Sequence, residues 1–276
     1  MQKFKKFLHF TWLLASRRVT ARQFSYIVKN SFLQGAKSRL DDFDWESYTK
    51  HYSEELRVLK RNHTLILKPD DYEFRNSKLI QINPNIRKLH ANHELLYETI
   101  LTLNPVTVLE IGCGSGDHLS NLVTLNNDIQ PHGVDVSMDQ LTLLKTRHPN
   151  LSENVHKNDI TSMGFYVDKC DLVFTQAVLM HIADTENRLE LAIGNILKSA
   201  LHNVVLMENW MTHDFLKVIR ASLIKSKDWR AACLYSNTRQ INEKVPRVLV
   251  ISKSQIMDIR FLENFRILSD HDSTLV

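Results

Sequence analysis

The chain has 276 residues, a formal charge of +4, 43% hydrophobic and 24% charged residues, and seven glycines. That composition excludes collagen-like, low-complexity and wholly disordered proteins, and the length allows one or two domains with a sizeable α/β core. Three cysteines, Cys113, Cys170 and Cys233, with no CxxC spacing, argue against a disulfide framework and a structural zinc site and suit a reducing compartment such as the cytoplasm.

The charge is uneven. Residues 1–40 carry nine Lys or Arg and no acid, which leaves 26 basic and 31 acidic groups, a net of −5, among the other 236. The apolar stretch from Phe7 to Ala15 is about half the length that crosses a bilayer, so it is not a transmembrane span. This basic arm reads in four ways: a signal peptide, a transit peptide, an amphipathic helix packed on its own domain, or a surface that meets an anionic membrane, nucleic acid or an acidic partner. Residues 41–104 follow as a polar, helical lid or support region, with Trp45, Tyr48, Tyr52, Leu56 and Leu59 spaced to share one helix face.

From Pro105 the pattern becomes an alternation of strands and helices. Val106 to Ile111 is a β-branched run, Gly112 to Gly116 a turn, and Leu119, Leu122 and Val123 recur at helical spacing. Gly133 to Val136 predicts a second strand, and Ser137 with Gln140 forms a capping box that opens the next helix. Asn154 to His156 predicts a short third strand, and Asp171 to Thr175 a fourth, apolar enough to be covered on both faces. Asp184 is placed to cap a helix striped with Leu189, Ala192, Ile193 and Ile196, before a fifth strand over Asn203 to Met207. Ala232 to Ser236 and Arg247 to Ser252 close the pattern as an antiparallel edge. The expected fold is α/β: a doubly wound, mostly parallel, seven-stranded Rossmann-like sheet over 105–255, preceded by an N-terminal helical extension and followed by a tail over 256–276.

The glycine loop narrows the ligand. A dinucleotide loop wants G-x-G-x-x-G, but its third glycine position is Asp117 here, and the nearby carboxylates Glu110 and Asp117 repel a pyrophosphate. A Walker loop fails for lack of G-K-[ST]. S-adenosylmethionine fits the loop better: it has no phosphate, two cationic groups, and a ribose diol that suits Asp135 at the end of the second strand.

With Val108-Leu-Glu-Ile-Gly-Cys-Gly-Ser-Gly116, the chain resembles the class I S-adenosylmethionine-dependent methyltransferases over about residues 90–255, in the style of those from small-molecule and saccharide pathways. The resemblance implies that Gly112, Cys113, Gly114 and Gly116 line the methionine and ribose. It implies that Glu110 orders the loop or the methionine amino group, that Asp135, with Val136 beside it, holds the ribose, that Asp159 and Ile160 meet the adenine, and that Gln176 touches the methionine. One departure stands out, since Ser199-Ala-Leu-His202 replaces the family's Pro-Gly-Gly-like turn before the fifth strand.

The acceptor has to be aligned with the activated methyl carbon and, if it is a hydroxyl, must lose a proton. His181 after the fourth strand is the natural base, and Glu208 and His213 after the fifth, with Trp210 between them, lie on the same sheet edge. His90 and His93 have the spacing of a metal pair but lack a third ligand, so no metal is expected. The turn Thr175-Gln-Ala-Val178 lacks the Asn/Asp-Pro-Pro-aromatic pattern of amino-methylating DNA enzymes, and no cysteine follows a proline, which disfavours nucleic acid as substrate. O-methylation of a small polar acceptor such as a sugar or glycan end is the expected reaction. Transfer to nitrogen or a carboxylate, and a non-catalytic S-adenosylmethionine-binding module recruited by the basic arm, are the alternatives.

Overall fold

The computed structural model describes residues 45–59, 64–182, 187–237 and 248–272. The basic arm over 1–40 and the expected cap Asp184 lie outside the described residues. The chain divides into two units at His63/Thr64. In the first, helix α1 (Trp45–Leu59) stacks Tyr48 on Tyr52, one turn apart, with ring centroids 6.3 Å from each other.

The second unit begins with a hairpin, where a helical region had been expected as far as residue 104. Strands β1 (Tyr72–Arg75) and β2 (Lys78–Gln81) pair antiparallel across a two-residue turn, with Arg75 opposite Lys78. Asn76 and Ser77 both take positive φ, 51° and 60°, the mirror-image turn that suits the twist of a hairpin. The Asn-Ser pair between short alternating runs is the local signal for it. Helix α2 (Ala91–Thr102) pins the hairpin, because the buried Glu98 carboxylate accepts from Leu79 N and Lys78 Nζ, both at 3.0 Å.

The main sheet then forms in chain order. Strand β3 (Thr107–Ile111) leads into helix α3 (Asp117–Leu125), and β4 (Gln130–Asp135) into α4 (Met138–Arg147), whose cap Ser137 accepts from Gln140 N. β5 (Val155–Lys157) and β6 (Cys170–Gln176) follow. Helix α5 (Arg188–Ser199) passes without a loop into β7 (Ala200–Met207), and this is what stands in place of a glycine turn there. Helix α6 (Phe215–Lys225), β8 (Cys233–Asn237), β9 (Leu249–Ser252), the short α7 (Ile259–Leu262) and β10 (Phe265–Ile267) complete the unit.

The strand order is β10-β8-β9-β7-β6-β3-β4-β5. Pairing is parallel from β7 through β5 and antiparallel among β7, β9, β8 and β10. Among the described residues the sheet therefore has eight strands, not the expected seven, and residues 265–267 of the expected tail belong to it. Three residues of edge strand with one buried side chain, Phe265, are too short to show an alternation in sequence. β9 lies between β7 and β8, so Leu249 to Ser252, from the second run of the expected antiparallel edge, pairs with β8 as expected but is interior, while β10 forms the outer edge.

Successive residues of the central strands feed opposite cores. Val108, Leu172, Phe174 and Val205 join α2, α3 and α4 on one face, while Leu109, Val173, Val204 and Leu206 join α5 and α6 on the other. Burial on both faces is why these strands read as continuous apolar runs. The chain leaves β3 towards β4 on one side and returns to β6 on the other. A doubly wound sheet opens its ligand crevice at such a reversal, at the carboxyl ends of the strands.

Candidate cofactor and active site

At the carboxyl end of β3 the loop Gly112 to Gly116 turns through three positive φ angles, 72° at Gly112, 51° at Gly114 and 79° at Gly116, where the left-handed backbone favours glycine. Gly112 N and Cys113 N donate to Val134 O at 2.8 and 3.0 Å, tying the loop to β4. A Cβ on Gly112 would lie 2.4 Å from Val178 Cγ2. A Cβ on Gly114 would meet only Gln140 Oε1, at 3.6 Å, so bare backbone faces the crevice at this point. Cys113 backs the loop from within: it is buried, and its Sγ lies 2.9 Å from where a Gly133 Cβ would stand, so its side chain packs under the loop.

Carboxylates surround this loop. Asp135 accepts from Gly114 N and Ser137 N, both at 2.8 Å, so it shapes the loop. Burial raises its pKa more than these bonds lower it. Glu110 is buried, its Oε2 has no partner, and burial together with the charges of Asp135 and Asp117 pushes its carboxyl well above the usual range. Burial also disfavours the charge of Asp117, but His148 at 2.9 Å and the Arg147 fork at 2.8–3.2 Å outweigh it and hold its carboxyl below the usual range. Asp117 is thus a neutralised anchor between α3 and the end of α4.

The remaining expected contacts divide between the crevice and the core. Val136 is 44% exposed beside Asp135. Asp159 Oδ1 accepts from both the N and Oγ1 of Thr161 at 2.8 Å, and Ile160 is buried within the core that packs on α5, which leaves Val136 the more open apolar side chain of the pair. Gln176 ends β6 half-buried, near His118 on the first turn of α3, whose pKa it raises against the larger effect of burial.

His181 sits in the 3₁₀ turn Leu179–His181 just beyond, half-buried, its pKa lowered by burial. Glu208 lies buried beneath that turn. It accepts from Thr175 Oγ1 at 2.8 Å, Val178 N at 3.1 Å and Met180 N at 3.2 Å. Burial pushes its pKa up to about 7 against these bonds. Through these bonds Glu208, expected as a catalytic residue, braces the turn that carries Val178 and His181. His213 packs edge-on to Phe215 at 5.2 Å with its Nε2 buried and unbonded, and Trp210 meets the same ring at 5.3 Å.

Sequence reading missed Val178 and His118. His118 follows Gly116 by two residues, inside the first turn of the helix that the glycine loop opens, and that position was its only signal.

Residues 108–199 match a family described as a methyltransferase domain. No curated protein sequence matches the chain. Among solved structures, a TehB-like SAM-dependent methyltransferase from Corynebacterium glutamicum is 16% identical, with 76% of this chain and 100% of that one covered and a TM-score of 0.52. CalS10, an amino pentose methyltransferase from Micromonospora echinaspora, is 19% identical over 45% of this chain and 52% of its own, with a TM-score of 0.39. A magnesium protoporphyrin IX methyltransferase from Synechocystis is 17% identical over 58% and 76%, with a TM-score of 0.41. The first of these shows the fold. Residues 108–199 thus carry a methyltransferase domain, on a Rossmann-like fold.

The residues present fit S-adenosylmethionine. Gly114 offers bare backbone, Glu110 offers a buried, unpartnered carboxylate oxygen to a cationic group, and Asp117 at the N-terminus of α3 repels a phosphate. The cofactor supplies a methyl carbon activated by its sulfonium. The chain's own part is to align an acceptor with that carbon, exclude water and, for a hydroxyl, accept its proton.

Proposed function

We propose that the protein transfers a methyl group from S-adenosylmethionine to a hydroxyl of a small polar acceptor such as a sugar or glycan end. In this reading Glu110 meets the cofactor's ammonium, Asp135 its ribose, Val136, Asp159 and Ile160 its adenine, and His181 is the base. The observation that carries it is the braced turn after β6. Glu208 fixes the backbone of Val178 and Met180, and half-burial keeps the adjacent His181 neutral near physiological pH, ready to accept a proton at the mouth of the crevice. Trp210 and His213, beyond β7 on the same edge, offer an aromatic face and an imidazole to the acceptor.

Labelled methyl transfer to extract fractions, followed by mass spectrometry of the product, tests this directly: an O-methylated product is expected. His181→Ala should lower kcat by about 10²- to 10⁴-fold. Because its pKa is lowered, the acid limb of the kcat/KM profile should fall below pH ~6.5, where the imidazole gains a proton. Turnover within about threefold of wild type, with methylation on a carboxylate or nitrogen, would establish the alternative chemistry.

No helix among the described residues is long and apolar enough to cross a membrane. We place the protein in the reducing cytoplasm, with residues 1–40 as a peripheral contact for anionic lipid. Vesicles rich in phosphatidylserine should bind the full chain at low salt and release it at 0.5 M salt, where screening is short-ranged. Equal binding after deletion of residues 1–40 would refute that role.

A further inference from the structure

One helix, α4, meets the glycine loop with both of its ends. Asp135, two residues before the α4 cap Ser137, accepts from Gly114 N at 2.8 Å, and Gln140 Oε1 in the first turn lies 3.6 Å from where a Gly114 Cβ would stand. At the far end of the helix, a Cβ on Gly116 would lie 2.6 Å from Leu144 Cγ and 3.4 Å from His148 Cδ2, so the last turn packs directly on this glycine. The same turn grips the next residue. The Asp117 carboxylate, 4% exposed, accepts from Arg147 Nε at 3.2 Å, from Arg147 Nη2 at 2.8 and 3.0 Å through its two oxygens, and from His148 Nε2 at 2.9 Å. An ionised carboxylate only accepts, so His148 carries a hydrogen on Nε2. Burial works against the Asp117 charge, yet His148 and Arg147 hold its carboxyl below the usual range, so the grip stays charged at physiological pH.

The loop has a use for such a grip. Three glycines with φ of 72°, 51° and 79° make room for a ligand, but glycine also has the most conformational freedom to lose. A ligand that must itself order the loop binds more weakly by that entropy. The bonds from Gly112 N and Cys113 N to Val134 O fix the first half to β4, and the second half depends on Asp135 and Asp117.

We propose that Arg147 and His148 are positioning residues for cofactor binding: through Asp117 they lock the Gly114–Gly116 half of the loop against α4 before a ligand arrives. The proposal deepens the cofactor reading above and rests on it. Both residues act through Asp117, and neither is assigned a contact with the ligand. Arg147 contributes the planar fork that spans both carboxylate oxygens, a geometry that an ammonium does not copy.

Arg147→Met keeps an unbranched apolar stem and removes the fork, whereas Arg147→Lys keeps the charge without the bidentate geometry. Calorimetry with S-adenosylhomocysteine should show a loss of affinity of roughly tenfold or more for Arg147→Met, and a smaller loss for Arg147→Lys. Amide hydrogen exchange of the ligand-free proteins reads the loop independently of any ligand. Gly114 and Gly116, whose amides donate to Asp135 Oδ2 and Cys113 O at 2.8 Å, should exchange roughly tenfold faster in Arg147→Met, while the amides of β3 and β6 keep their wild-type rates. A purely structural role would speed exchange across the sheet and leave the loop no looser than its strands. That result would overturn the proposal, as would affinity within about twofold of wild type, or lost affinity with unchanged loop exchange. If Arg147→Met does not fold, Arg147→Lys carries the same comparison. A wild type that binds no S-adenosylhomocysteine would instead overturn the cofactor reading, and the exchange rates would still judge the grip.

Discussion

Gly112→Ala should abolish cofactor binding while leaving the sheet folded. The new methyl would stand 2.4 Å from Val178 Cγ2 and 3.1 Å from Cγ1, and the residue holds φ at +72°. The left-handed conformation costs a non-glycine residue about 1–2 kcal/mol, and forcing a methyl group into filled space adds about 1–3 kcal/mol. The loop relieves this strain by moving away from Val178, and the backbone that faces the ligand moves with it. We expect at least a 100-fold loss of S-adenosylhomocysteine affinity by calorimetry, which is about 2.7 kcal/mol, with a far-ultraviolet spectrum unchanged. The clash has an identifiable source, and so a rescue. Val178→Ala deletes both γ-carbons, and in the double variant the two losses should not add. Strictly additive losses would show that Val178 is not what excludes a side chain at residue 112.

Replacing Glu110 with glutamine should stabilise the empty protein and weaken its grip on the cofactor. A carboxyl whose folded pKa is raised binds protons more tightly in the native state than in the unfolded one. It therefore costs stability as pH rises above the unfolded value of about 4.3. Glu110 is in that situation, through burial first and then through the charges of Asp135 and Asp117. Glu110→Gln removes the penalty, so the ligand-free variant should melt higher than wild type at pH 7–8, and the difference should vanish near pH 4. Binding should change in the opposite sense. A cationic ammonium favours the ionised carboxylate, so binding to wild type should release a proton and strengthen as pH rises towards the ligand's own amine pKa, near 8. Glutamine cannot do this, and affinity should fall about 10- to 100-fold, the ~1.5–3 kcal/mol of a charged hydrogen bond. Calorimetry in buffers of different ionisation enthalpy reads the proton directly. Lower stability of the variant at pH 7–8, or no proton release by wild type, would contradict this account.

The two experiments probe different parts of one design. The glycines make room, and room is a matter of which side chains lie opposite: Val178 from the turn after β6 and Leu144 from α4, the latter 2.6 Å from a Cβ on Gly116. Glu110 and Asp135 carry the charge pattern, and burial is the first cause of their elevated pKa values. Glu208 shares the pattern at the opposite side of the site, where its bonds to Thr175, Val178 and Met180 hold the turn that both fills the space above Gly112 and carries His181.

Read alone, the sequence determined the alternation of strands and helices from residue 105, the glycine loop and the class of cofactor it suits. These depend on local patterns: β-branched runs, the Ser137 cap and three glycines in five residues. It also placed Glu110, Asp135 and Gln176 near the carboxyl ends of their strands and His181 a few residues beyond one, because each lies close in sequence to a strongly patterned strand. Only the tertiary structure decided what those side chains do. The β1/β2 hairpin and β10 were hidden because short, half-exposed strands have little periodicity, and their stability comes from partners distant in sequence, such as Glu98 and β8. Glu208 follows β7 and Gln176 ends β6, yet one is buried beneath a turn and the other is half-buried. The burial of Glu208 is made by Thr175, Val178 and Met180, about 30 positions away in the chain, meeting it in a low-dielectric interior. There each buried donor must find an acceptor, and no spacing along the chain records which one it finds.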